Sequence, residues 1–163
     1  MGRSLGTPLN TIFSWFIKKR IHQIELFIKF PNEVQLEVFN ELIANGSNTE
    51  FGKKHRFSQI KTVKDFQKAV PLQDYDALFP YVERLMNGEQ NLLWNSSILW
   101  FAKSSGTTSQ RSKLIPVSQE SLENCHYKGG KDLLALYYQH HPHTKLFKGK
   151  HLIIGGSSQI NPI

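Results

Sequence analysis

Phe101-Ala-Lys-Ser-Ser-Gly-Thr-Thr-Ser-Gln-Arg-Ser-Lys-Leu-Ile-Pro116 carries the residues of this chain best suited to chemistry. A Ser/Gly/Thr loop, Ser104 to Ser109, follows the apolar run Ile98 to Phe101, and a second apolar run, Leu114 to Val117, comes after it. Such a loop offers backbone N–H groups and hydroxyls with little side-chain bulk. A polyphosphate needs that: many donors, close approach and nearby cations. Lys103, Arg111 and Lys113 supply the cations. The same composition also suits a flexible surface hairpin. The loop is not a Walker loop, and it lacks the further glycines of a dinucleotide fingerprint. Three features favour a ligand: the aromatic-rich Leu99-Trp100-Phe101, which is costly to leave bare, the flanking cations, and Pro116, which stiffens the exit.

The elements that must position this loop are legible on either side. Residues 9 to 30 have a helical period. Leu9, Ile12, Phe13, Phe16, Ile17, Ile21, Ile24, Phe27 and Ile28 share one half of the surface; Lys18, His22, Glu25 and Lys29 share the other. Arg20 falls inside the apolar arc, which predicts a partly buried, paired arginine. This helix reads as core packing, with a membrane-surface helix as the sharper alternative because of Trp15 and the Lys18 to Arg20 cluster. Pro31 ends it, and Asn32 caps a second helix over Glu33 to Ala44, with Val34, Phe39, Leu42 and Ile43 inward. Asn45-Gly46 is its stop signal, and Asn48 to Phe57 reads as loop. Thr62 with Asp65 forms a capping box for a short helix to Ala69. Pro71 and Pro80 bracket another short piece, and Tyr81 to Met86 continues helically to Asn87-Gly88.

After Gln90 the pattern changes to strands over Ile98 to Phe101 and Lys113 to Val117. Ser118 then caps a long helix, Gln119 to Gln139, weakened by Gly129-Gly130. His151 to Ile154 is a third strand candidate. The expected fold is α/β: a helical region, 1–90, then the incomplete start of a nucleotide domain, 91–163.

The 163 residues carry 20 basic and 13 acidic side chains, a net charge of +7. Such a balance suits nucleic acid, anionic lipid or a phosphorylated ligand. After Asp132 no acidic residue occurs, so the last part of the chain offers no carboxylate to hold magnesium. The one cysteine, Cys125, permits no internal disulfide and reads as a small hydrophobe. No apolar run reaches the roughly 18 residues that span a bilayer. Leu9 to Ile17 has its charges on the wrong side for a signal core, and Gly6 stands where a myristoylation motif needs Ser or Thr. The chain is expected in the cytoplasm. His140, His141 and His143 read as a polar loop rather than a metal cluster. Asp74 with Asp76, and Glu83 with Glu89, read as solvated acids; Trp94 and Trp100 read as core packing.

The central segment, with Asn48-Thr-Glu-Phe-Gly-Lys-Lys-His55, Val70-Pro-Leu-Gln-Asp-Tyr75, Tyr81-Val-Glu-Arg-Leu-Met-Asn-Gly-Glu89 and His126-Tyr-Lys-Gly-Gly-Lys-Asp132, resembles the Gretchen-Hagen-three family of acyl-acid amido synthetases. That family belongs to the adenylate-forming superfamily of luciferases and acyl-CoA synthetases, and the last segment resembles its bacterial branch. The resemblance covers nearly the whole chain. It implies ATP and Mg2+ as cofactors, with a carboxylic acid and an amine as small-molecule substrates. By position, Ser104, Ser105, Gly106, Thr107 and Thr108 would hold the ATP phosphates, and Lys113 would act at the β/γ end. Gln110 departs from the glycine common in plant members, which bears on the loop's conformation. The chain resembles the first third of a longer enzyme, so alone it is expected not to catalyse adenylation. The competing reading is a basic binding module for nucleic acid or an anionic membrane surface. Scattered lysines and arginines disfavour it, and no nucleic acid or membrane partner is expected.

Overall fold

The computed structural model describes residues 7–104, 112–142, 144 and 152. Among these, helices α1 (Thr7–Lys29), α2 (Pro31–Gly46), α3 (Glu50–Lys54), α4 (Val63–Ala69) and α5 (Tyr75–Met86) precede one strand pair. Strands β1 (Trp100–Lys103) and β2 (Leu114–Val117) are antiparallel, with Phe101 opposite Pro116 and Lys103 opposite Leu114. A final helical stretch follows: α6 (Gln119–Ser121), a π-helical turn over Leu122–Tyr127, and α7 (Lys128–His140). This is a mixed helical chain with a small two-stranded sheet. Of the strand expected at His151 to Ile154, all but Leu152 lies outside the described residues.

Two cores hold these elements. The first gathers Ile17 and Ile21 of α1 against Ala135 of α7, flanked by Ile24 and Tyr138. A buried aliphatic side chain of this kind stabilises by about 1.5–3 kcal/mol. The buried stripe of α1 is narrower than its apolar arc: Phe16, Phe27 and Ile28 are exposed. Arg20 sits in that arc and is paired. Its Nε and Nη2 donate to the two carboxylate oxygens of Asp132, the Nη2 bond at 2.7 Å, while Nη1 donates to Gln23 at 2.8 Å. Residues 112 positions apart are thus joined by a bidentate, partly buried ion pair.

The second core contains Tyr81, Leu85, Leu92 and Ile98, with Phe51, Leu93, Trp94 and Phe101 packed around it. Beside it lies a tight junction. Thr49 is fully buried; its hydroxyl donates to the Gly46 carbonyl at 2.7 Å and accepts from the Gly52 N–H at 3.0 Å. Two further donors of the first turn of α3, Glu50 and Phe51, bond to the carbonyls of Asn91 and Leu92 at 3.0 and 2.9 Å. Arg84 on α5 braces the same place from outside, bonding Glu50 and Glu89 together. Asn91, at φ 59°, turns the chain there and donates to the Asn48 carbonyl.

Several elements differ from their sequence expectation for physical reasons. Asn48 to Phe57 is not one loop, because Thr49 caps a helix. Helix α2 begins with Pro31 at its first position, where a missing N–H costs nothing, so Asn32 is not its cap. It runs on through Gly46, and Leu42 faces solvent. Pro80 stays inside α5, whose buried face of Tyr81, Val82 and Leu85 offsets the missing backbone bond. The first strand starts at Trp100 rather than Ile98. The Gln90 side chain takes the place of a strand partner for Ile98, accepting from its N–H at 2.8 Å and donating to its carbonyl at 3.3 Å. The capping box of Thr62 and Asp65 and the Ser118 cap stand as read from the sequence.

A Cβ at Gly52 would stand 1.9 Å from the Gly46 carbonyl oxygen, whereas one at Gly129 meets nothing within 4 Å. Gly52→Ala should therefore cost about 3 kcal/mol or more in urea unfolding, and Gly129→Ala should stabilise by up to about 1 kcal/mol. The ion pair predicts a pH dependence. Hydrogen bonding from Arg20 holds the Asp132 carboxyl below its ordinary value, against the opposing effect of burial. A lowered folded pKa gives stability that is complete above the ordinary aspartate range near about 4 and is lost as pH falls through the lower folded value. Between about pH 6 and pH 2.5 the native chain should lose more unfolding free energy than Asp132→Asn; equal losses would contradict this.

Candidate phosphate-binding site

Strand β1 is anchored through Phe101, which packs on the core of Tyr81, Leu85, Leu92 and Ile98. The pleat turns its neighbours outward, so Trp100 is 64% exposed and Ile115, on the same face, 51%. Trp94 meets its core expectation, packed on the second core, and Trp100 does not.

Beyond Lys103 and Leu114 the pair closes once more. The Ser104 N–H donates to the Lys113 carbonyl at 2.9 Å. In return the Lys113 N–H donates to the Ser104 hydroxyl oxygen, also at 2.9 Å. The serine side chain thereby replaces its own backbone carbonyl at the neck of the Ser/Gly/Thr segment. Its hydroxyl proton remains able to donate to a ligand.

Ladder alternation then sends the backbone groups of Leu114 and Pro116 away from β1. Pro116 has no N–H to satisfy. Those of Leu114 are met by Tyr75, whose hydroxyl accepts from the N–H at 3.0 Å and donates to the carbonyl at 3.2 Å. Tyr75 opens α5 directly after Asp74, whose side chain caps the helix by accepting from the Ala77 N–H at 2.8 Å. The Lys113 ammonium lies over the Tyr75 ring, 5.3 Å from its centre. Among the described residues no carboxylate pairs with Lys113. A cation held on an aromatic face keeps its charge for an incoming anion.

The structure thus brings Ser104 and Lys113 together at the neck. Ser105, Gly106, Thr107 and Thr108 lie outside the described residues, as do Gln110 and Arg111. Tyr75 is the residue that sequence reasoning passed over. Its signal was the Val70-Pro-Leu-Gln-Asp-Tyr75 segment, quoted above as a resemblance and given no role.

Two acids near the strand pair have partners. Asp74 is a helix cap, and Glu120, just after the Ser118 cap, accepts from the Ser96 hydroxyl at 2.8 Å. Its own backbone N–H, then Ser96, hold the Glu120 carboxyl below its ordinary value. Among the described residues no group of His, Cys, Asp and Glu could hold a metal ion, and His143 lies outside them. No helix among them is long and apolar enough to cross a membrane.

Residues 20–163 match the model of the GH3 family N-terminal domain. The chain belongs to the GH3 family. It is 33% identical over 106 residues to the indole-3-acetic acid-amido synthetase GH3.2 of Arabidopsis thaliana, covering 64% of this chain and 19% of that protein. With the indole-3-acetic acid-amido synthetase GH3.8 of Oryza sativa subsp. indica it shares 28% identity over 123 residues, 72% of this chain and 20% of that one. The solved GH3.15 acyl acid amido synthetase superposes with a TM-score of 0.65 at 27% identity, covering 73% of this chain and 21% of that structure. The chain therefore spans about a fifth of the length of the GH3 proteins it matches. These curated relatives are plant proteins, and a bacterial-type branch finds no support among them.

Tyr75→Phe removes both hydrogen bonds to Leu114 and leaves a partly buried N–H and carbonyl without their partner. Urea unfolding should show a loss of about 1–3 kcal/mol.

Proposed function

We propose that this GH3 chain is the N-terminal part of an ATP-dependent acyl-acid amido synthetase. The carboxylate of an organic acid attacks the α-phosphorus of ATP, giving an acyl-adenylate and pyrophosphate. An amine, such as that of an amino acid, then attacks the acyl carbon and releases AMP, leaving an amide.

The supporting observation is the neck of the Ser/Gly/Thr segment: Ser104 and Lys113 bonded to each other, with the Lys113 ammonium held on Tyr75. In this reading Ser104, Ser105, Gly106, Thr107 and Thr108 bind the ATP phosphates. Lys113 meets the negative charge that grows as pyrophosphate leaves, so it favours the transition state over the ground state. Magnesium would arrive with the triphosphate and neutralise its charge. Asp74 and Glu120 are engaged in a helix cap and with Ser96, and no carboxylate role for the metal is assigned to this part of the chain.

The division into a helical region, 1–90, and the start of an ATP-binding domain, 91–163, belongs to the same reading. So do a cytoplasmic location, small-molecule substrates, and the absence of nucleic-acid and membrane partners. The chain supplies a fifth of what its relatives carry, and we place completed adenylation with the longer protein.

Mg-ATP should raise the thermal midpoint of the 163-residue chain, and Lys113→Ala should weaken that binding about tenfold or more. The absence of any nucleotide-dependent shift would overturn the phosphate-binding assignment. ATP–pyrophosphate exchange should require the full-length gene product with its acid; exchange by the 163-residue chain, lost in Ser105→Ala, would refute the placement of adenylation in the longer protein.

A further inference from the structure

A groove of about 570 Å3 opens between α1 and α7, away from the strand pair and sharing no residue with Ser104, Tyr75 or Lys113. Its lining includes two buried apolar residues: Ile17 is 8% exposed and Ala135 3%. Phe16 of α1 and Leu134 of α7 also line it. Lys19, Lys128 and Lys131 stand around it.

The charges are unbalanced. Both oxygens of Asp132 are taken by Arg20. The Lys19 ammonium lies over the Trp15 ring at 5.5 Å, and Lys131 has no ion-pair partner among the described residues. Arg20 and Lys128 both act on the one carboxylate nearby, Asp132, so the groove edge keeps an excess of positive charge. An apolar trough edged in this way is complementary to one kind of small molecule: an apolar body ending in one negative charge. The volume lies within the roughly 300–1,000 Å3 of ordinary small-molecule sites.

We propose that the α1–α7 groove binds a single-chain amphiphilic carboxylate, its apolar body on Phe16, Ile17 and Leu134 and its carboxylate at Lys128 and Lys131. This site is additional to the phosphate-binding assignment and independent of it.

The test is calorimetric titration of the 163-residue chain with decanoate below its micelle concentration. One saturable site is expected. The double variant K128Q/K131Q and the single variant Phe16→Ser should each weaken binding about tenfold or more, with unchanged far-ultraviolet circular dichroism. These side chains are at the surface or partly exposed, so the fold should survive their replacement. Decanol and inorganic phosphate, each offering half of the required chemistry, should bind more weakly than decanoate. Lys113→Ala should leave decanoate affinity as it was. Three results would overturn the proposal: no saturable binding by the folded chain, an affinity indifferent to K128Q/K131Q, or loss of binding in Lys113→Ala, which would place the ligand at the strand pair. Binding confined to phosphatidylglycerol vesicles would overturn it in favour of a membrane surface.

Discussion

The buried hydroxyl of Thr49 is the constraint on which much of the rest depends. It bonds to the Gly46 carbonyl and the Gly52 N–H at once, so the end of α2 and the first turn of α3 share one side chain. That contact requires Gly52, since any Cβ there would overlap the Gly46 carbonyl. The close approach aims the next two N–H groups at Asn91 and Leu92. Leu92 then enters the core on which Phe101, and hence β1, is seated. The position of the candidate phosphate site is therefore set some fifty residues upstream, by a hydroxyl with no chemistry of its own.

The site itself is built by substitution of side chains for backbone. Ser104 accepts with its hydroxyl where a strand would use a carbonyl, and Tyr75 and Gln90 serve edges that a neighbouring strand would otherwise serve. Each device satisfies backbone groups that would be costly to leave unpaired, yet none requires a wider sheet. A two-stranded pair is marginal alone. Here it is held on one side by Phe101 in the core and on its outer edge by Tyr75.

What could be read in the sequence follows the range of the interaction. The Thr62–Asp65 box, the Ser118 cap and the period of α1 are local, and they stood out. Arg20 could also be read as paired, because a cation inside an apolar arc needs a partner; Asp132 could not be named, being 112 residues away. Asn45-Gly46 looked like a plain helix stop because the close neighbour of Gly46, the Phe57 ring at 3.0 Å from where a Cβ would stand, lies outside the helix. Pro80 looked like a break because the buried face that outweighs it becomes visible only once α5 is packed. At the site, the cationic and hydroxylic residues were legible by type. Tyr75 was not, since a tyrosine near a proline-rich turn gives no sign that its hydroxyl will reach a strand 39 residues on.

The π-helical turn at Leu122–Tyr127 has a consequence for orientation. Ser118 ties the start of this helical stretch to the strand pair, whereas Asp132 and Ala135 must face α1. Each residue of an α-helix advances the side-chain direction by about 100°. A π turn admits one residue more than a regular helix, so it resets the phase between the two halves. An unbroken α-helix of the same length would turn Asp132 about 100° away from Arg20, whereas the π turn absorbs the extra residue and keeps it in place. Local regularity and long-range docking compete at this turn, and the irregular backbone shows that docking prevails.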